Sequence, residues 1–535
     1  MKKKLSTAIL IDNNQIKEWQ KASLENIRDL INIKIILNCK NNKTLKKPIT
    51  NFFYYLLNIF TLRNKLTKNR EYLEEKAAWT DFYALQDGHW QCLPDKIVNK
   101  IKSNKIDLII KFGMGLLDVN GSKLNTPVFS FHHGDPSKYR GRPPSFYEIL
   151  NKEKNVGTVI QKLNNKIDSG EIVAISYSKI DHYSYKKTLL NLFNNSQYLL
   201  RKAVINFINK NDLKISGNGK LYKLPSNFLV IKFIFILFYR KIRRYYYGIF
   251  IEKKWNFVVF NYQNLKSNQI LDKLNKSNKI YEKFGKSPEI INPYIFYADP
   301  FYSSDGKHIY AEALNKKNGL GEIAKFSATK LSLKDIILKG SGHFAYPQCL
   351  DYNNQQWILP EISAHSKQKI FNISNDSIIN LDVEDQPLLI DATIFNYKNK
   401  FYLFCGKQNN CLDNLFLYVS DKLVGPYYKH PCNPIVSNPI NARMAGNILN
   451  KDGKLYRFGQ DNCFRYGKQI IVSEILEITE QDYREEVIGD IYFFNKDGTH
   501  TINFFENNVL MDYYEEKFSF LAGYRRLLGK FNNNY

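Results

Sequence analysis

The stretch FYADPFYSSDGKHIYAE, residues 296–312, is the first of several similar units from which we predict the fold of the second half of this 535-residue chain. It joins a proline-containing entry, an apolar strand, a tight Asp-Gly turn and a returning strand rich in aromatic residues. The same order recurs in HFAYPQCLDYNNQQWILPE (343–361), LIDATIFNYKNKFYLFCG (389–406) and RMAGNILNKDGKLYRFGQD (443–461). Turn residues of this kind between two apolar runs are typical of β-hairpins.

The spacing of these units predicts a repeated architecture. They start roughly 46 to 54 residues apart, and a weaker fifth unit, IGDIYFFNKDGTHTINFFE, begins at residue 488. Four-stranded propeller blades repeat at this interval. The sequence therefore predicts an all-β five-bladed propeller over residues 290–515, followed by a C-terminal tail at 516–535.

Residues 1–215 have a different pattern and predict a separate domain of a multidomain chain. Short apolar runs such as AILI (8–11), IKIIL (33–37) and GTVIQKL (157–163) alternate with segments of helical spacing. Residues 186–209 repeat their apolar positions at helical intervals and predict a closing helix. Alternating strands and helices indicate an α/β, Rossmann-like domain with a parallel sheet.

Residues 216–289 are predicted to be a linker that contains one apolar and basic helix. In NFLVIKFIFILFYRKIRRYYYGIF (227–250) the apolar run is shorter than a membrane span requires, and Lys241, Arg243 and Arg244 follow it. Two interpretations stay open. The helix contacts an anionic membrane surface, or it packs as a linker between the two domains.

The net charge indicates which partners to expect, and the cysteines indicate the cellular compartment and whether a metal site is present. The net charge of +26 attracts phosphates, but the lysines are spread along the chain and form no block, so we do not expect a nucleic-acid partner. The seven cysteines include no CxxC pair, so we predict a reduced cytoplasmic protein and no metal site. The basic start of the chain is followed by Asp12 after a short apolar run, which predicts a strand rather than a signal peptide.

Two motifs of the first domain carry candidate chemistry. SFHHGDPSKYRG (130–141) lies beyond the strand in DLIIKFGMGLL (107–117), near the sheet edge where open α/β folds bind ligands. NNKIDSGEIV (164–173) places Asp168 in a tight turn before a strand. A histidine changes its charge near pH 7, and a carboxylate beside it raises its pKa and orients its ring.

Together these motifs resemble the folate-dependent formyltransferases over residues 1–215. The resemblance rests on His132 followed by Tyr139-Arg140-Gly141, on Asp168 with Gly170, and on FGMGLL (112–117). It implies 10-formyltetrahydrofolate as the cofactor, His132 as a general base and Asp168 as its partner in formyl transfer to an amine. The residues that it assigns to cofactor binding are Phe112, Gly113, Gly115, Leu116, Tyr139, Arg140 and Gly141.

The chain departs from this family at one position. Ser130 stands where the family has an asparagine that donates a hydrogen bond to the developing oxyanion. Ser130 or His133 is predicted to take over that role. Other acyl chemistry and a domain that only binds its ligand stay open.

The repeat region resembles the N-terminal domain of plant glucosamine inositolphosphorylceramide transferases and the propellers of glycoside hydrolase family 43. Blade entries converge on a propeller's central channel, so we predict a glycan-binding group there. Its members are Asp299, Glu361, Asp391, Arg443 and Asp461. Hydrolysis by a carboxylate pair and a purely structural role for these carboxylates are the alternatives.

The resulting hypothesis is a cytoplasmic enzyme, peripheral to the inner face of the membrane, of surface-polysaccharide or glycolipid biosynthesis. It would transfer a formyl group to a nucleotide-linked amino sugar and hold the glycan in its propeller. The alternatives are a non-catalytic glycan-binding scaffold and a glycoside hydrolase that acts through the propeller.

Overall fold

The computed structural model describes residues 4–40, 49–211, 217–261, 285–340, 342–408, 410–493 and 495–532. The chain divides into two compact units, residues 1–241 and 242–535. The predicted domain boundary at 215 and part of the predicted linker, residues 262–284, lie outside the described residues. Each unit is treated by itself.

Unit 1 is an α/β unit, as predicted. Its helices are α1 (Glu18–Glu25), α2 (Phe52–Thr61), α3 (Asp95–Ser103), α4 (Phe146–Leu150), α5 (Tyr185–Ile208) and the first part of α6 (Asn227–Phe250). Its strands are β1 (Leu5–Asp12), β2 (Gln15–Lys17), β3 (Ile31–Cys39), β4 (Asn69–Glu71), β5 (Ala78–Phe82), β6 (Leu85–Asp87), β7 (Trp90–Cys92), β8 (Leu108–Lys111), β9 (Leu116–Leu117), β10 (Val128–His132), β11 (Tyr139–Gly141), β12 (Asn155–Lys162), β13 (Glu171–Lys179) and β14 (Lys220–Tyr222).

The centre of unit 1 is a mostly parallel sheet. Strands β5, β3, β1, β8 and β10 pair in parallel in that order, and β12 and β13 extend the sheet antiparallel beyond β10. The strands of this sheet are almost continuously apolar because both faces of the sheet are buried. Ile9, Ile110 and Phe129 are buried in one core cluster, and Leu10 and Ile109 in another. His132 is thereby the last residue of a parallel strand, at the sheet's carboxyl edge.

Unit 2 consists of five antiparallel sheets and a C-terminal helix, α7 (Ala522–Asn532), within the residues that the structure describes. Two sheets have four strands each: β16 (Tyr294–Tyr302), β17 (His308–Asn315), β18 (Gly321–Ser327) and β19 (Leu333–Leu338), then β20 (Ala345–Tyr352), β21 (Gln355–Glu361), β22 (Lys369–Asn372) and β23 (Ile378–Asn380).

Two further sheets have five strands each. They are β24 (Leu389–Tyr397), β25 (Lys400–Lys407), β26 (Asn414–Ser420), β27 (Tyr428–Lys429) and β28 (Val436–Ser437), then β29 (Arg443–Met444), β30 (Leu449–Lys451), β31 (Lys454–Gln460), β32 (Ile470–Ile478) and β33 (Tyr483–Ile491). The remaining sheet joins β15 (Ile251–Asn261), β34 (Ile502–Phe505) and β35 (Asn508–Phe518).

The predicted hairpins are confirmed. Both central turn residues have positive φ at 353–354, 398–399 and 452–453, as the favoured hairpin turns require. A second repeated feature lies in the entry strands. Asp299, Tyr346 and Asp391 each adopt a left-handed conformation beside a register shift, with φ of 49, 46 and 47°. The equivalent RMAG segment has Gly446 at φ 121°.

The prediction for the fifth sheet was wrong in its composition. Strand β33, over 483–491, completes the sheet of β29–β32 instead of opening a new one. The remaining sheet forms because β35 pairs with β15 residue by residue, from Ile251 opposite Phe518 to Asn261 opposite Asn508. Residues 251–261 are thus a core strand and not a linker, and residues 516–532 form a strand end and a helix rather than a tail. Closure of the five sheets into a propeller stays a prediction.

Among the described residues, no helix combines the length and the apolar character that a membrane crossing needs.

Candidate active site

The two motifs of unit 1 meet in space. The His132 Nδ1 lies 3.2 Å from Asp168 Oδ1. The second carboxylate oxygen of Asp168 accepts a hydrogen bond of 2.8 Å from the backbone N–H of Gly141. The histidine, the Tyr-Arg-Gly segment and the aspartate therefore form one connected group, which spans 37 positions of the sequence from His132 to Asp168.

The surroundings of His132 favour its cation. Burial, the largest influence, disfavours the charged ring, but the hydrogen bond and the negative charge of Asp168 outweigh it and raise the pKa of His132 above its usual range. The other ring nitrogen, Nε2, lies 3.1 Å from the Tyr139 carbonyl oxygen. Both ring nitrogens then donate, so in this conformation His132 is a hydrogen-bond donor and has no free nitrogen to act as a base.

The same hydrogen bond to His132 offsets the burial of Asp168. Burial raises the pKa of this carboxyl, yet the bond to His132 and the Gly141 amide hold it below its usual range. Asp168 is therefore ionised at neutral pH. A cationic ring beside an ionised carboxylate is a preorganised electrostatic donor.

An open cleft lies beside His132. It is lined by His132, His133, Gly134, Tyr139, Arg140, Gly141, Arg142, Pro143, Tyr147, Glu148 and Tyr222. Glu148 is a functional candidate that the sequence analysis missed. Burial raises its pKa to about 7, which makes it able to accept a proton near neutral pH.

The structure separates the two residues that were predicted as oxyanion donors. Ser130 lies two residues before His132 in β10 and so projects from the same face of the sheet, opposite Gln161. The ring of His133 packs among Trp19, Phe131 and Phe193, with centroids 5.3, 6.2 and 5.0 Å away. Burial lowers its pKa to about 3, so His133 is a neutral core residue.

The predicted cofactor residues divide into two sets. Tyr139, Arg140 and Gly141 line the cleft. At Gly141, φ is 86° and a Cβ would lie 2.1 Å from the Tyr222 carbonyl oxygen, so glycine is required there. The Arg140 guanidinium donates to the Ile167 carbonyl at 2.7 Å and thereby holds the Asp168 turn.

The second set, in FGMGLL, does not belong to the described lining of this cleft. The Phe112 ring packs against Trp19 and Phe131, and the Gly113 amide donates to the Leu10 carbonyl. The Gly115 amide donates to Gln91 at 2.6 Å, and Leu116 pairs with Trp90. These four residues therefore serve the packing of the sheet edge.

Unit 2 brings four of its five predicted residues into a polar centre. The Arg443 guanidinium forms two hydrogen bonds with Asp391, one through Nε and one through an Nη at 3.0 Å, and lies 3.7 Å from Glu361. Burial raises the pKa of both carboxyls, but Arg443 reverses this at Asp391, whose pKa falls below its usual range. Burial and the Asp391 charge raise the pKa of Glu361 to about 8. Asp391 is the charged partner and Glu361 is protonated at pH 7.

Asp299 belongs to a second part of this centre. The His500 Nδ1 contacts Asp512 at 2.5 Å, and its Nε2 lies 3.7 Å from Asp299. Thr501 also donates to Asp299 at 2.6 Å. Burial raises the pKa of Asp299 to about 7. The backbone amides of His500 and Thr501 donate to the other oxygen of Asp512.

Asp461 has a local role instead. Its two carboxylate oxygens accept hydrogen bonds from the Cys463 amide and the Gln469 side chain in its own loop. His500, Asp512 and Tyr466, whose ring lies 5.0 Å from the Arg443 guanidinium, were missed. Asp299 and Asp391 lie in the recurring ADP and DAT entries, but no sequence signal marked His500.

Comparison with known proteins supports the predicted resemblance of unit 2 to the N-terminal domain of glucosamine inositolphosphorylceramide transferases. Residues 285–505 match the family model described as "Glucosamine inositolphosphorylceramide transferase 1, N-terminal". Glucosamine inositolphosphorylceramide transferase 1 of Arabidopsis thaliana is 29% identical over 211 residues, which cover 36% of this chain and 27% of that protein. The chain therefore spans only about a quarter of the length of this relative.

Two solved structures are similar to part of this chain. A sugar N-formyltransferase from Shewanella sp. FDAARGOS_354 is similar over 41% of this chain and 76% of its own, with 16% identity and a TM-score of 0.27. Zg3597, a family 117 glycoside hydrolase from Zobellia galactanivorans, is similar over 50% and 91%, with 11% identity and a TM-score of 0.31.

Proposed function

We propose that unit 1 transfers a formyl group from 10-formyltetrahydrofolate to the amine of a nucleotide-linked amino sugar, in surface-polysaccharide or glycolipid biosynthesis. The observation that carries this proposal is the contact of His132 with Asp168 beside an open cleft. It assembles, at the carboxyl edge of a parallel sheet, the residue types that acyl transfer to an amine requires.

The geometry supports a revised division of roles. Bound 10-formyltetrahydrofolate would supply the carbonyl carbon that the amine attacks. The His132 cation, held by Asp168, would turn its Nε2–H from the Tyr139 carbonyl to the developing oxyanion. Glu148, with a pKa near 7 in the same cleft, would accept the proton that the amine releases and pass it to N10 of the folate. The bond between N10 and the formyl carbon would then break, and tetrahydrofolate would leave. Ser130, on the same face as His132, is the second candidate donor.

Arg142 lies exposed at the rim of the cleft. Its cation suits the phosphates of a nucleotide-linked sugar or the carboxylates of a folate tail. Titration calorimetry with the unreactive analogue 10-formyl-5,8-dideazafolate tests the cofactor assignment. We expect saturable binding to the full chain, about tenfold weaker in Arg142→Ala and restored in Arg142→Lys. Absence of binding to the wild-type protein would overturn the assignment.

For unit 2 we propose a five-bladed propeller that binds a glycan or glycolipid acceptor. The family match over 285–505 supports it, since the related plant proteins are named for glucosamine and inositolphosphorylceramide. The centre formed by Arg443, Asp391 and Glu361 offers paired donors and acceptors of the kind that sugar hydroxyls need. If the whole chain is instead a non-catalytic glycan-binding scaffold, His132→Ala should leave its biological function intact.

Hydrolysis by unit 2 is the second candidate. One observation favours it: Asp299 and Glu361, in one buried centre, hold protons near neutral pH, with pKa values of about 7 and 8. Release of sugar from an oligosaccharide panel that stops in Asp299→Asn and in Glu361→Gln would establish this activity. No release from any oligosaccharide would remove it.

A further inference from the structure

Helices α2 and α6 expose an apolar surface on unit 1. On α6 the exposed apolar positions Phe228, Ile231, Phe235 and Phe238 recur at intervals of three or four residues, which places them on one side of the helix. Phe228 is 78% exposed and Phe235 is 67% exposed. Side chains of this size are rarely left in water in such a row.

The second helix of the surface, α2, was not recognised in the sequence. Its exposed residues are Phe52, Phe53, Leu56, Ile59 and Phe60, with Phe60 66% exposed. Asn227 ties the two helices together, because its side chain accepts from the Phe53 amide and donates to the Ile49 carbonyl, each at 2.9 Å.

The opposite sides of both helices are fixed in the protein. Tyr54 of α2 and Val230 and Phe233 of α6 are buried in one core cluster with Phe146. The Phe233 ring stacks on Phe146 with centroids 4.2 Å apart. The exposed rows therefore belong to well-anchored helices, and their exposure does not arise from fraying.

The charge of the residues around this apolar surface indicates which kind of partner covers it. No Asp or Glu occurs between residues 30 and 70 or between 213 and 251. Lysines and arginines are interspersed, and Lys232, Lys241 and Arg243 are exposed on α6. An apolar row flanked only by positive charge matches the headgroup region of an anionic bilayer, where apolar side chains enter the acyl boundary and cations meet phosphates.

Unit 2 carries a second exposed apolar segment, although its Arg525 is paired with Glu252. Around α7, the exposed residues Phe520, Tyr524, Leu527 and Phe531 alternate with Arg525, Arg526 and Lys530. Beside α7, the Phe518 ring packs between two others. Its centroid lies 5.7 Å from that of Phe250 and 4.9 Å from that of Phe520.

We propose that α2 and residues 227–241 of α6 form a monotopic docking surface for an anionic lipid bilayer. The aromatic row enters the interface, and the flanking lysines and arginines bind acidic headgroups. The surface would hold the protein where a lipid-linked acceptor resides. This inference does not depend on the formyl-transfer assignment.

Co-sedimentation of the full chain with vesicles tests the proposal. We expect binding to vesicles of phosphatidylcholine mixed with phosphatidylglycerol, weaker binding to phosphatidylcholine alone, and loss of binding as salt rises. Phe235→Ser with Phe238→Ser should lower the partition coefficient at least about tenfold, since burial of one such side chain is worth about that factor. Lys232→Gln should weaken binding only to the anionic vesicles.

Leu85→Ser is the matched control, because Leu85 is also exposed but lies in the separate sheet of β6, β7 and β9. It should leave binding unchanged, and circular dichroism should show that all variants are folded. Equal binding by the Phe235/Phe238 variant and the wild type would overturn the proposal. So would sedimentation as a dimer that this variant converts to a monomer, because a second copy would then cover the surface.

Discussion

His132 and Asp168 form a buried pair whose stabilising effect depends on pH. The pKa of His132 is raised, so its share of the stability is complete below the unfolded value of 6.5 and is lost as pH rises through the folded value. The pKa of Asp168 is lowered, so its share is present above the unfolded value of 3.8 and is lost as pH falls through the folded value. The pair therefore stabilises unit 1 most between these two unfolded values.

Replacement of Asp168 by Asn should remove this effect. We expect a loss of about 1–3 kcal/mol in the free energy of unfolding near pH 6, because a buried ring loses its charged partner. The difference between wild type and Asp168→Asn should shrink as pH rises above the pKa of His132. Thermal melts over a pH series measure it. Glu171→Gln, which breaks the half-exposed ion pair with Lys162, is the control and should change stability by under about 0.5 kcal/mol.

In unit 2, replacement by the corresponding amide should have different effects on stability at Asp391 and at Glu361. Asp391→Asn leaves the largely buried Arg443 cation without its ionised partner and should destabilise unit 2 by about 3 kcal/mol. Glu361→Gln replaces an acid that is already protonated at pH 7, so we expect under about 1 kcal/mol. Urea unfolding at pH 7 compares the two variants, and an equal cost for both would contradict this distribution of charge.

At the residue scale, the sequence predicts those candidate site residues that lie in distinctive short motifs. His132, Asp168 and Gly141, which lie together in the structure, were singled out in the sequence because their neighbours are unusual. Glu148 was not, since in FYEIL it looks like an exposed helical position and only tertiary packing buries it. His133 was misassigned for the same reason: the alternation of β10 directs its ring into an aromatic cluster on the other face of the sheet.

At the scale of elements, local pairing was predictable and distant pairing was not. The hairpins of unit 2 follow from two-residue turns whose sequence fixes their backbone. Strands β15 and β35 pair across about 250 residues, and nothing in either strand identifies its partner. Residues 251–261 therefore resembled a linker.

Strand β15 should contribute to the stability of unit 2 as any core strand does. Phe257 is fully buried in it, and Phe257→Ala should cost about 3–5 kcal/mol through the cavity that it leaves. Phe228→Ala, at an exposed helical position, should have almost no effect on stability. Calorimetric unfolding of both variants measures the contrast. If Phe257→Ala melted like the wild type, residues 251–261 would be a dispensable linker after all.

At the scale of the whole molecule, the chain joins an α/β unit with a proposed group-transfer site to a β unit with a polar centre. A bound glycan or lipid-linked acceptor in the second unit would increase the local concentration of amine for the first. Deletion of residues 242–535 should then raise the KM for a glycolipid amine, while kcat for a soluble amino sugar stays unchanged. A matching loss of kcat would show instead that unit 1 needs unit 2 for its own fold.

The central claim is tested most directly by formyl transfer itself. The full chain is incubated with 10-formyltetrahydrofolate and a panel of nucleotide-linked amino sugars, and the products are weighed by mass spectrometry. We predict one added formyl group on an amino sugar, a rate about 10² to 10³ lower in His132→Ala, and a shifted pH profile in Glu148→Gln. A rate in His132→Ala equal to that of the wild type, or no formylated product at high enzyme concentration, would contradict the account.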